Sequence, residues 1–374
     1  MQKIILVANT SWSMVKFRSS LMKKLVSEHY KVYVVSPYDA YAKDIKRIGC
    51  QFIDLKIDNK GSNPIYDINM LYKLYRIYRK IKPDLVIHYT IKPNIYGSIA
   101  AKLSRCSSIA IVTGLGYTFI NKSFTTKIAE FLYRLAFRFP KEIWFLNQED
   151  REIFIHKKLA SKAITKLIPG EGVNLQHFMT RKNKEEQKKF IFLLMARILK
   201  DKGIYEYIDA IKILQKEYLN VEYQLLGSLH AMNPTSIQEK EVQSWVEKNI
   251  VNYLGEVKDV RPYIENADCI VLPSYREGLS MSLLEAASMS RPIIASNIPG
   301  CKEVVSDSVN GYLCEAGNAK DLAEKMEQML TLSNNNRVEM GRAGRKKVLR
   351  EFDEQIVIKQ YLESIERFCQ HNTL

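Results

Sequence analysis

The chain has 374 residues, 46% of them hydrophobic and 26% charged, which predicts a soluble globular protein of two domains. No apolar run approaches the roughly 20 residues that span a bilayer, and the start MQKIILVANTS lacks a signal-peptide pattern, so we expect a cytoplasmic protein. Residues 1–170 carry 29 Lys and Arg against 12 Asp and Glu, a net +17, although the whole chain carries only +15. This asymmetry predicts an anionic partner for the first half, either nucleic acid or an anionic membrane surface.

Short β-branched runs alternate with amphipathic helical patterns from the first residues, as in parallel α/β sheets. The strands predicted in the first half are KIILVA, KVYVVS, QFIDLK, DLVIHY, IAIVTG and EIWFLN, and the predicted helices cover 15–28, 65–81, 93–104 and 124–138. A linker is predicted at LIPGEGVN (167–174) and at the charged run TRKNKEEQKK (180–189).

The alternation restarts after the linker. The predicted strands are KFIFLLMAR, VEYQLLG, IVNYLG, DCIVLPS, RPIIAS and GYLCE, and the predicted helices cover 203–217, 235–249, 281–290, 318–332, 335–350 and 353–369. The expected fold class is α/β, with two Rossmann-like doubly wound domains that face each other across a cleft. The first domain is expected to span 1–172, with a last helix (353–374) packing back on it, and the second to span 173–352.

Disulfide and metal sites are not expected. The six cysteines are scattered, with no CxxC pair and no metal-ligand spacing, which predicts free thiols in a reducing compartment. The chain also has no convincing DxD motif that would bind a divalent metal. We therefore expect neither a metal nor another resident cofactor.

Two cations follow the first strand of the second domain. In LLMARILKDKG, Arg197 comes just after the strand and Lys202 comes just before Gly203 and a helix. Cations at the carboxyl end of a strand, beside a helix N-terminus, suit a diphosphate group. The alternative is that both are solvated loop charges.

Two carboxylates flank the start of a later helix in SYREGLSMSLLEAASMSRPI. Glu277 lies in the loop and Glu285 lies inside the helix, and Gly278 between them allows a ligand to approach the backbone closely. A carboxylate has two acceptor oxygens, which match the two hydroxyl donors of a vicinal diol. The pair therefore predicts a grip on a sugar and a ribose, or else two acids that merely favour a helix N-terminus.

Read together, MARILKDKG and the later REGLSMSLLEAASMSRPIIASNIPGCKEVV resemble the carboxyl-terminal signature of the retaining glycosyltransferases of family four, which have the GT-B fold. The family's motif of a Glu, seven residues and a second Glu is matched by Glu277 and Glu285, and its diphosphate-holding Arg and Lys by Arg197 and Lys202. The resemblance covers most of the chain and is strongest from 190 to 315.

The resemblance implies a UDP-sugar donor on the second domain. Arg197 and Lys202 would neutralise the donor diphosphate without a metal, Glu277 would hold the sugar hydroxyls, and Glu285 would hold the ribose. The loop LGEVKDV (254–260) would lie near the base. The remaining implied donor contacts are Gly278, Leu279, Ser280, Met281, Ser282, Val257 and Gly114.

The first domain would then bind the acceptor. VANTSWSMVKFRSS resembles the family's first βα loop but lacks its usual glycine pair, and the segment VTGLGYTF lacks the family's sugar-touching histidine. The predicted acceptor-side residues are Asn9, Lys16, Arg18, His88, Thr90, Lys92, Asn94, Gly116 and Tyr117. As alternatives, Lys16 and Arg18 are ordinary first-turn cations, His88 is a core histidine, and Gly114 and Gly116 are turn glycines. In PGEGVN, Glu171 stands where an Asn is commoner in the family.

GLGYTF, KPNIYGSIAAK and YREGLSMSLLEA resemble bacterial capsule, O-antigen and protein-glycan assembly enzymes that act on undecaprenyl-diphosphate-linked sugars, including α-1,3-N-acetylgalactosaminyltransferases. This implies an N-acetylhexosamine donor, a lipid-linked sugar acceptor and a peripheral place on the inner face of the plasma membrane. YKLYRIYRKIK (72–82) and FTTKIAEFLYRLAFRFPK (124–141) are basic amphipathic helices predicted to lie on anionic lipid. Their apolar residues, among them Leu71, Leu74, Ile77 and Tyr78, are expected to pack on the sheet.

Two other functions remain open at this point. A non-hydrolysing UDP-sugar epimerase shares the two-domain fold, but it needs acid and base side chains in the cleft, for which the six histidines are poorly placed. A nucleic-acid-binding α/β protein would explain the positive first half, but it needs stacking aromatics or a known reader motif, and neither is found. We therefore predict a retaining, metal-independent transferase in which the acceptor attacks from the face that the diphosphate leaves.

Overall fold

A computed structural model describes residues 1–57, 64–115, 124–180, 189–229 and 233–370 of the chain. By its internal contacts the chain divides into two compact units: unit 1 comprises Met1–Glu171 and Glu354–Leu374, and unit 2 comprises Gly172–Asp353. Each unit contains one sheet whose paired strands are all parallel. This confirms the expected α/β class with two Rossmann-like sheets.

Sheet 1, in unit 1, has the strand order β3-β2-β1-β4-β5-β6-β7. Its strands are β1 (Lys3–Val7), β2 (Lys31–Ser36), β3 (Gln51–Asp54), β4 (Leu85–Tyr89), β5 (Ser107–Val112), β6 (Glu142–Phe145) and β7 (Thr165–Leu167). The central strands β1, β4 and β5 are almost entirely buried. They form near-continuous apolar runs because helices cover both faces of such a sheet.

The helices of unit 1 before the linker are α1 (Ser11–Ser27), α2 (Ala42–Arg47), α3 (Pro64–Ile81), α4 (Ser98–Leu103), α5 (Phe124–Ala136) and α6 (Gln148–His156). Thr10 and Asn147 cap α1 and α6, since each side chain accepts a hydrogen bond from a backbone N–H of the first turn. A π turn, Pro93–Gly97, precedes α4 directly.

Sheet 2, in unit 2, has the strand order β10-β9-β8-β11-β12-β13. Its strands are β8 (Phe190–Met195), β9 (Val221–Leu226), β10 (Asn252–Tyr253), β11 (Cys269–Leu272), β12 (Ile293–Ser296) and β13 (Gly311–Cys314). The helices of this unit are α7 (Ile204–Leu214), α8 (Glu239–Glu247), α9 (Arg261–Asn266), α10 (Met281–Ser288), α11 (Ala319–Thr331) and α12 (Asn334–Glu351).

The last helix, α13 (Glu354–Gln370), returns to unit 1 and packs against α1 and β4. The rings of Tyr361 on α13 and Trp144 on β6 lie 4.8 Å apart between centroids. Glu142 on the same strand accepts hydrogen bonds from Ser364 Oγ and from an Arg367 guanidinium nitrogen, each at 2.9 Å. The helix thus completes the core of unit 1.

Several boundaries differ from the sequence predictions. The segment predicted as one helix over 93–104 is a π turn followed by α4, and the short edge strand β7 was not predicted. The helix predicted over 235–249 begins only at Glu239. The residues before it form a turn instead, in which the Ser236 N–H donates to the Asn233 carbonyl at 3.1 Å, and Ser236 also pairs with Leu199 in an antiparallel bridge.

Candidate functional site

The loop after β8 packs against the loop after β11. Arg197 lies exposed in this loop, which then forms a short 3₁₀ turn over Lys200–Lys202 and reaches Gly203 in a left-handed conformation with φ +71°. A Cβ at Gly203 would lie only 2.0 Å from the Pro273 carbonyl oxygen. Both the positive φ and this lack of space therefore require glycine. The Tyr275 N–H also donates to the Asp201 carbonyl at 2.9 Å. The two loops are therefore fixed to each other.

This packing brings Lys202 onto Glu277, 75 residues further along the chain. The Lys202 ammonium donates to the Glu277 carboxylate in an ion pair whose side chains are 17% and 12% exposed. Ser274 Oγ donates to the same carboxylate oxygen at 2.8 Å. A cation and a carboxylate thus stand side by side at the carboxyl edge of sheet 2, where ligands of parallel sheets bind.

A glycine turn after β12 supports Glu277 from the other side. Gly300 has φ +83°, and a Cβ there would lie 2.6 Å from the Glu277 Cβ. The Gly300 carbonyl accepts from the Ser280 N–H at 3.0 Å, and the Gly300 N–H donates to the Glu303 carboxylate at 2.6 Å. Neither Gly300 nor Glu303 was predicted from the sequence, although both stand in the segment PGCKEVV.

Most of the remaining predicted donor residues lie on or beside α10. Ser280 precedes the helix, and its Oγ is 3.2 Å from the Ser282 Oγ. Leu279 is buried, and Gly278, Met281 and Ser282 are half-buried. Glu285 is half-buried on the second turn of α10. The first backbone N–H groups of a helix lack partners within it and favour negative charge, so this end of α10 suits an anionic or polar ligand.

The loops after β8, β9 and β10 meet at one edge of sheet 2. Gly227, after β9, packs so closely on Ala196 that a Cβ would lie 1.7 Å from the Ala196 carbonyl oxygen. Its N–H donates to the Gly255 carbonyl at 2.9 Å, and Gly255 lies in the loop after β10. Val257, two residues later, is half-buried. The loop predicted to hold the base is therefore tied to the loop that carries Arg197.

In unit 1, two predicted acceptor-side residues brace the π turn. Asn94 is fully buried, and its amide donates to the Ile111 carbonyl at 2.8 Å and accepts from the Ile111 N–H at 3.2 Å. The Lys92 ammonium donates to Asp67 on α3 at 2.7 Å. The Tyr96 hydroxyl donates to the second oxygen of Asp67 at 2.9 Å. The side chains of Asn94 and Lys92 thus hold neighbouring elements of unit 1 together.

His88 is a core residue, which was the alternative left open by the sequence. Its ring is fully buried on β4, with Nε2 3.0 Å from the Tyr78 hydroxyl. A Cβ on Gly97 of the π turn would come within 2.4 Å of the imidazole. Burial lowers the pKa of His88 to about 3, so the ring is neutral at physiological pH. We therefore do not place it on the acceptor side.

Arg18 also differs from the expectation, because its guanidinium is buried rather than offered to an acceptor phosphate. It pairs with Glu171, and the two side chains are 4% and 7% exposed. It also lies 3.8 Å from the centre of the Tyr89 ring, and the Tyr361 hydroxyl donates to Glu171 at 3.5 Å. Burial raises the pKa of Glu171, and the charge of Arg18 opposes that shift.

The other predicted residues of unit 1 that the structure describes follow strands β1, β4 and β5. Lys16 is exposed on α1, and Asn9 is half-buried just before that helix. Thr90 has φ +71°, and its buried Oγ1 has no hydrogen-bond partner among the described residues. Gly114, which was predicted as a donor contact, follows β5 with φ +122°. Gly116 and Tyr117 lie outside the described residues.

Over the ranges that the structure describes, no helix is both long and apolar enough to cross a bilayer. The same ranges contain no group of three or more His, Cys, Asp or Glu side chains arranged to hold a metal ion.

The chain is similar to known proteins over almost its whole length. The chain is 28% identical to the N,N'-diacetylbacillosaminyl-diphospho-undecaprenol alpha-1,3-N-acetylgalactosaminyltransferase of Campylobacter jejuni, over 98% of both chains. It is also 28% identical to the capsular polysaccharide biosynthesis glycosyltransferase CapM of Staphylococcus aureus, over 97% of this chain and 96% of CapM. A crystal structure of Anabaena HepE in complex with UDP and glucose superposes with a TM-score of 0.81 at 18% identity, over 98% and 100% of the two chains. That last likeness shows the fold alone.

Two family profiles match the chain, and they correspond to its two halves. Residues 3–147 match "Glycosyl transferase 4-like", and residues 176–347 match "Glycosyl transferases group 1". The second match contains Arg197, Lys202, Glu277 and Glu285. With both halves accounted for, the chain belongs to the glycosyltransferases of family four, which have the GT-B fold.

Proposed function

We propose that this protein transfers a sugar from a UDP-sugar to a sugar carried on a polyprenyl diphosphate, with retention of the anomeric configuration. The donor sugar is proposed to be an N-acetylhexosamine, with N-acetylgalactosamine the first choice. The observation that supports this most directly is the contact of Lys202 with Glu277 in unit 2. The epimerase and nucleic-acid alternatives gain no support, since both matching families are glycosyltransferases.

The donor is proposed to lie along the carboxyl edge of sheet 2. An ammonium group has three N–H donors, so Lys202 can keep one on Glu277 and turn the others to a phosphate oxygen. The exposed guanidinium of Arg197 supplies a second charge for the diphosphate. Glu277 accepts from the sugar hydroxyls, Glu285 accepts from the ribose, and the loop around Val257 receives the base.

In the reaction, the bond between the sugar and the diphosphate breaks while an acceptor hydroxyl attacks from the same face, and the hydroxyl proton passes to the departing diphosphate oxygen. Negative charge grows on the departing diphosphate, and the fixed cations Arg197 and Lys202 stabilise it. Because Lys202 is already held by Glu277, which Ser274 and the Gly300 turn hold in place, little reorganisation is needed when that charge develops. These two cations take the place that a divalent metal has in other transferases, so we propose a metal-independent reaction.

Unit 1 is proposed to bind the acceptor. The relative in Campylobacter jejuni is named for a diphospho-undecaprenol acceptor, and CapM is named for capsule biosynthesis. The net +17 on residues 1–170 suits such an acceptor and the anionic surface of the membrane that carries it. We propose that the protein works on the cytoplasmic face of that membrane as a peripheral protein, without binding nucleic acid.

The test is a transfer assay with radiolabelled UDP-sugars and a short-chain polyprenyl-diphosphate sugar. We expect Glu277→Ala to lower transfer by about 100-fold or more while the variant still folds, with a lower melting temperature because Lys202 loses its partner. Glu339→Ala is the matched control, because Glu339 is a carboxylate of unit 2 that is 67% exposed on α12. It should retain full activity. Full activity of Glu277→Ala, or no transfer by the unaltered protein from any UDP-sugar, would contradict the proposal.

A further inference from the structure

Helix α3 presents large apolar side chains to solvent over its first three turns. Four of them, which we name the α3 patch, are 77%, 64%, 65% and 55% exposed: Ile65, Tyr66, Ile68 and Tyr72. The opposite side of the helix is buried in unit 1 through Met70, Leu74 and Tyr78. Single exposed apolar residues are common, but four within eight residues of one helix form a contiguous surface.

The exposed face of α3 changes character along the helix. Beyond the α3 patch it carries cations, since Arg76, Arg79 and Lys80 are all exposed. The Arg76 guanidinium lies 5.9 Å from the centre of the Tyr72 ring, where the two parts of the face meet. A helix that enters the interface of a bilayer typically carries apolar and aromatic side chains, followed by cations.

Cations also stand beside the first turns of α3. Tyr66 of the patch lines a cavity of about 590 Å³, and Lys56, Asn69 and Lys73 line the same cavity. Asp67 lines it too, but its carboxylate is paired with the Lys92 ammonium at 2.7 Å. Ammonium and amide donors beside exposed apolar side chains match an amphiphile with an anionic headgroup.

A second apolar stripe lies on the neighbouring helix α5. Ile128, Phe131 and Leu135 are 42%, 63% and 41% exposed and follow one another at helical spacing. Both α3 and α5 contact the π turn Pro93–Gly97, and Tyr96 of that turn packs against the buried clusters under both helices. The two exposed apolar surfaces therefore belong to neighbouring helices of unit 1.

We propose that the α3 patch inserts into the headgroup region of a bilayer that contains anionic phospholipid, with the apolar stripe of α5 beside it. Charge favours this occupant over a second copy of the chain, because a dimer through this surface would bring two halves of net +17 together. The inference rests on the proposed function and deepens it by naming the lipid-binding surface. The sequence prediction assigned lipid contact to the basic helices of 72–82 and 124–141, and the α3 patch adds exposed apolar side chains that begin seven residues before the first of these segments.

The test uses the full-length protein and vesicles of phosphatidylglycerol and phosphatidylcholine. We expect the triple variant Ile65→Ser, Ile68→Ser, Tyr72→Ser to bind the vesicles at least about tenfold more weakly than the unaltered protein. Part of the binding of the unaltered protein should survive high salt, because burial of apolar groups is not screened. Leu219→Ser with Val309→Ser is the matched control, since these residues of unit 2 are 81% and 59% exposed, and it should bind like the unaltered protein.

A gain of signal provides the second measurement. Tryptophan placed in the patch by Ile68→Trp should shift its emission to the blue on addition of vesicles and should be quenched by brominated lipid, whereas Leu219→Trp should do neither. The proposal is overturned if vesicle binding is wholly abolished by salt, if the triple variant binds as the unaltered protein does, or if the patch variant instead dissociates a dimer.

Transfer to a short-chain acceptor in free solution separates this inference from the proposed function. The triple variant should keep that activity, since the α3 patch contains none of the proposed donor residues. If the unaltered protein binds vesicles through the patch but shows no transfer, the proposed function fails and the lipid surface stands.

Discussion

Gly300 positions the carboxylate proposed to hold the donor sugar. Its φ of +83° disfavours any other residue, and an added Cβ would lie 2.6 Å from the Glu277 Cβ. We expect Gly300→Ala to lower kcat for transfer at least about tenfold through displacement of Glu277. Gly317→Ala is the control, because Gly317 has a similar φ of +75° but an added Cβ would meet only a Tyr275 ring carbon at 3.7 Å. Equal activity of the two variants would contradict this role of Gly300.

The buried imidazole of His88 makes the stability of unit 1 depend on pH. Its folded pKa is about 3, whereas an unfolded chain has a histidine pKa of about 6.5. As the pH falls through about 6.5, the unfolded chain takes up the proton first, so the stabilisation present above that pH is lost progressively. Between pH 7 and pH 5 this group alone should lower the free energy of unfolding by about 2 kcal/mol.

Urea unfolding of the unaltered protein and of His88→Gln across this pH range measures the effect. The free energy of unfolding of the variant should fall less steeply below about pH 6.5, and the two slopes should agree above pH 7. Parallel slopes over the whole range would show that the ring is not buried as a neutral group.

For individual residues, the sequence identified candidate site residues but not their contacts. Lys202 and Glu277 were predicted for different parts of the donor, and 75 residues of chain separate the two partners of their ion pair. Arg18 was predicted to face a ligand because its partner Glu171 is 153 residues away and could not be foreseen. Local pattern shows which residue types are present, but only the folded chain shows which long-range partner neutralises a charge.

Among the elements, the π turn packs directly on the buried strand β4. A methyl group on Gly97 would come within 2.4 Å of the His88 imidazole, which is fully buried and cannot move aside. We expect Gly97→Ala to lower the free energy of unfolding by about 1–3 kcal/mol, as overpacking of a core does. Urea unfolding measures this loss.

Ser98, the next residue along the chain, is the matched control for Gly97. Its Oγ is buried and has no hydrogen-bond partner among the described residues. Ser98→Ala should therefore be neutral or slightly stabilising, because it removes an unsatisfied polar group. A larger loss for Ser98→Ala than for Gly97→Ala would refute this account of the turn.

Strands with strong β-branched patterns were predicted well, whereas elements set by tertiary contacts were not. β7 is only three residues long and polar in sequence, and it exists because it pairs with β6. The π turn depends on the Asn94 amide, whose two hydrogen bonds to Ile111 on β5 are invisible in a helical periodicity. Both cases show tertiary contacts overriding local propensity.

For the molecule as a whole, the buried pair of Arg18 and Glu171 fixes the point where the chain leaves unit 1. Arg18→Met would leave the Glu171 carboxylate buried without its cation, and we expect a loss of about 3–5 kcal/mol in the free energy of unfolding. Adding Glu171→Leu to that variant should recover most of the loss, since apolar replacement of a whole buried pair is often neutral. Urea unfolding compares the three proteins.

The control pair is Arg342 and Glu339 on α12, whose side chains are 68% and 67% exposed. Arg342→Met should lower the free energy of unfolding by less than about 1 kcal/mol, because water screens an exposed pair. Similar losses for Arg18→Met and Arg342→Met would mean that the Arg18 pair is not buried in solution.

The fold class was predictable because strand and helix patterns alternate along the whole chain, and the central strands are near-continuous apolar runs. The expected break at 172/173 and the division seen at Glu171 and Gly172 differ by one residue. What periodicity could not supply is the buried charge pair between Arg18 on α1 and Glu171, which lies at the end of unit 1.

The return of α13 to unit 1 has a consequence for the order in which the protein folds during synthesis. Unit 2 is one continuous stretch of chain and can fold as soon as it has left the ribosome. Unit 1 starts first but must wait, because Tyr361 covers Trp144 and Ser364 and Arg367 bind Glu142 only once α13 has been translated. Unit 1 is thus synthesised first but completed last. Until α13 has been made, the Trp144 ring on β6 lacks its contact with Tyr361 and is available to proteins that bind nascent chains.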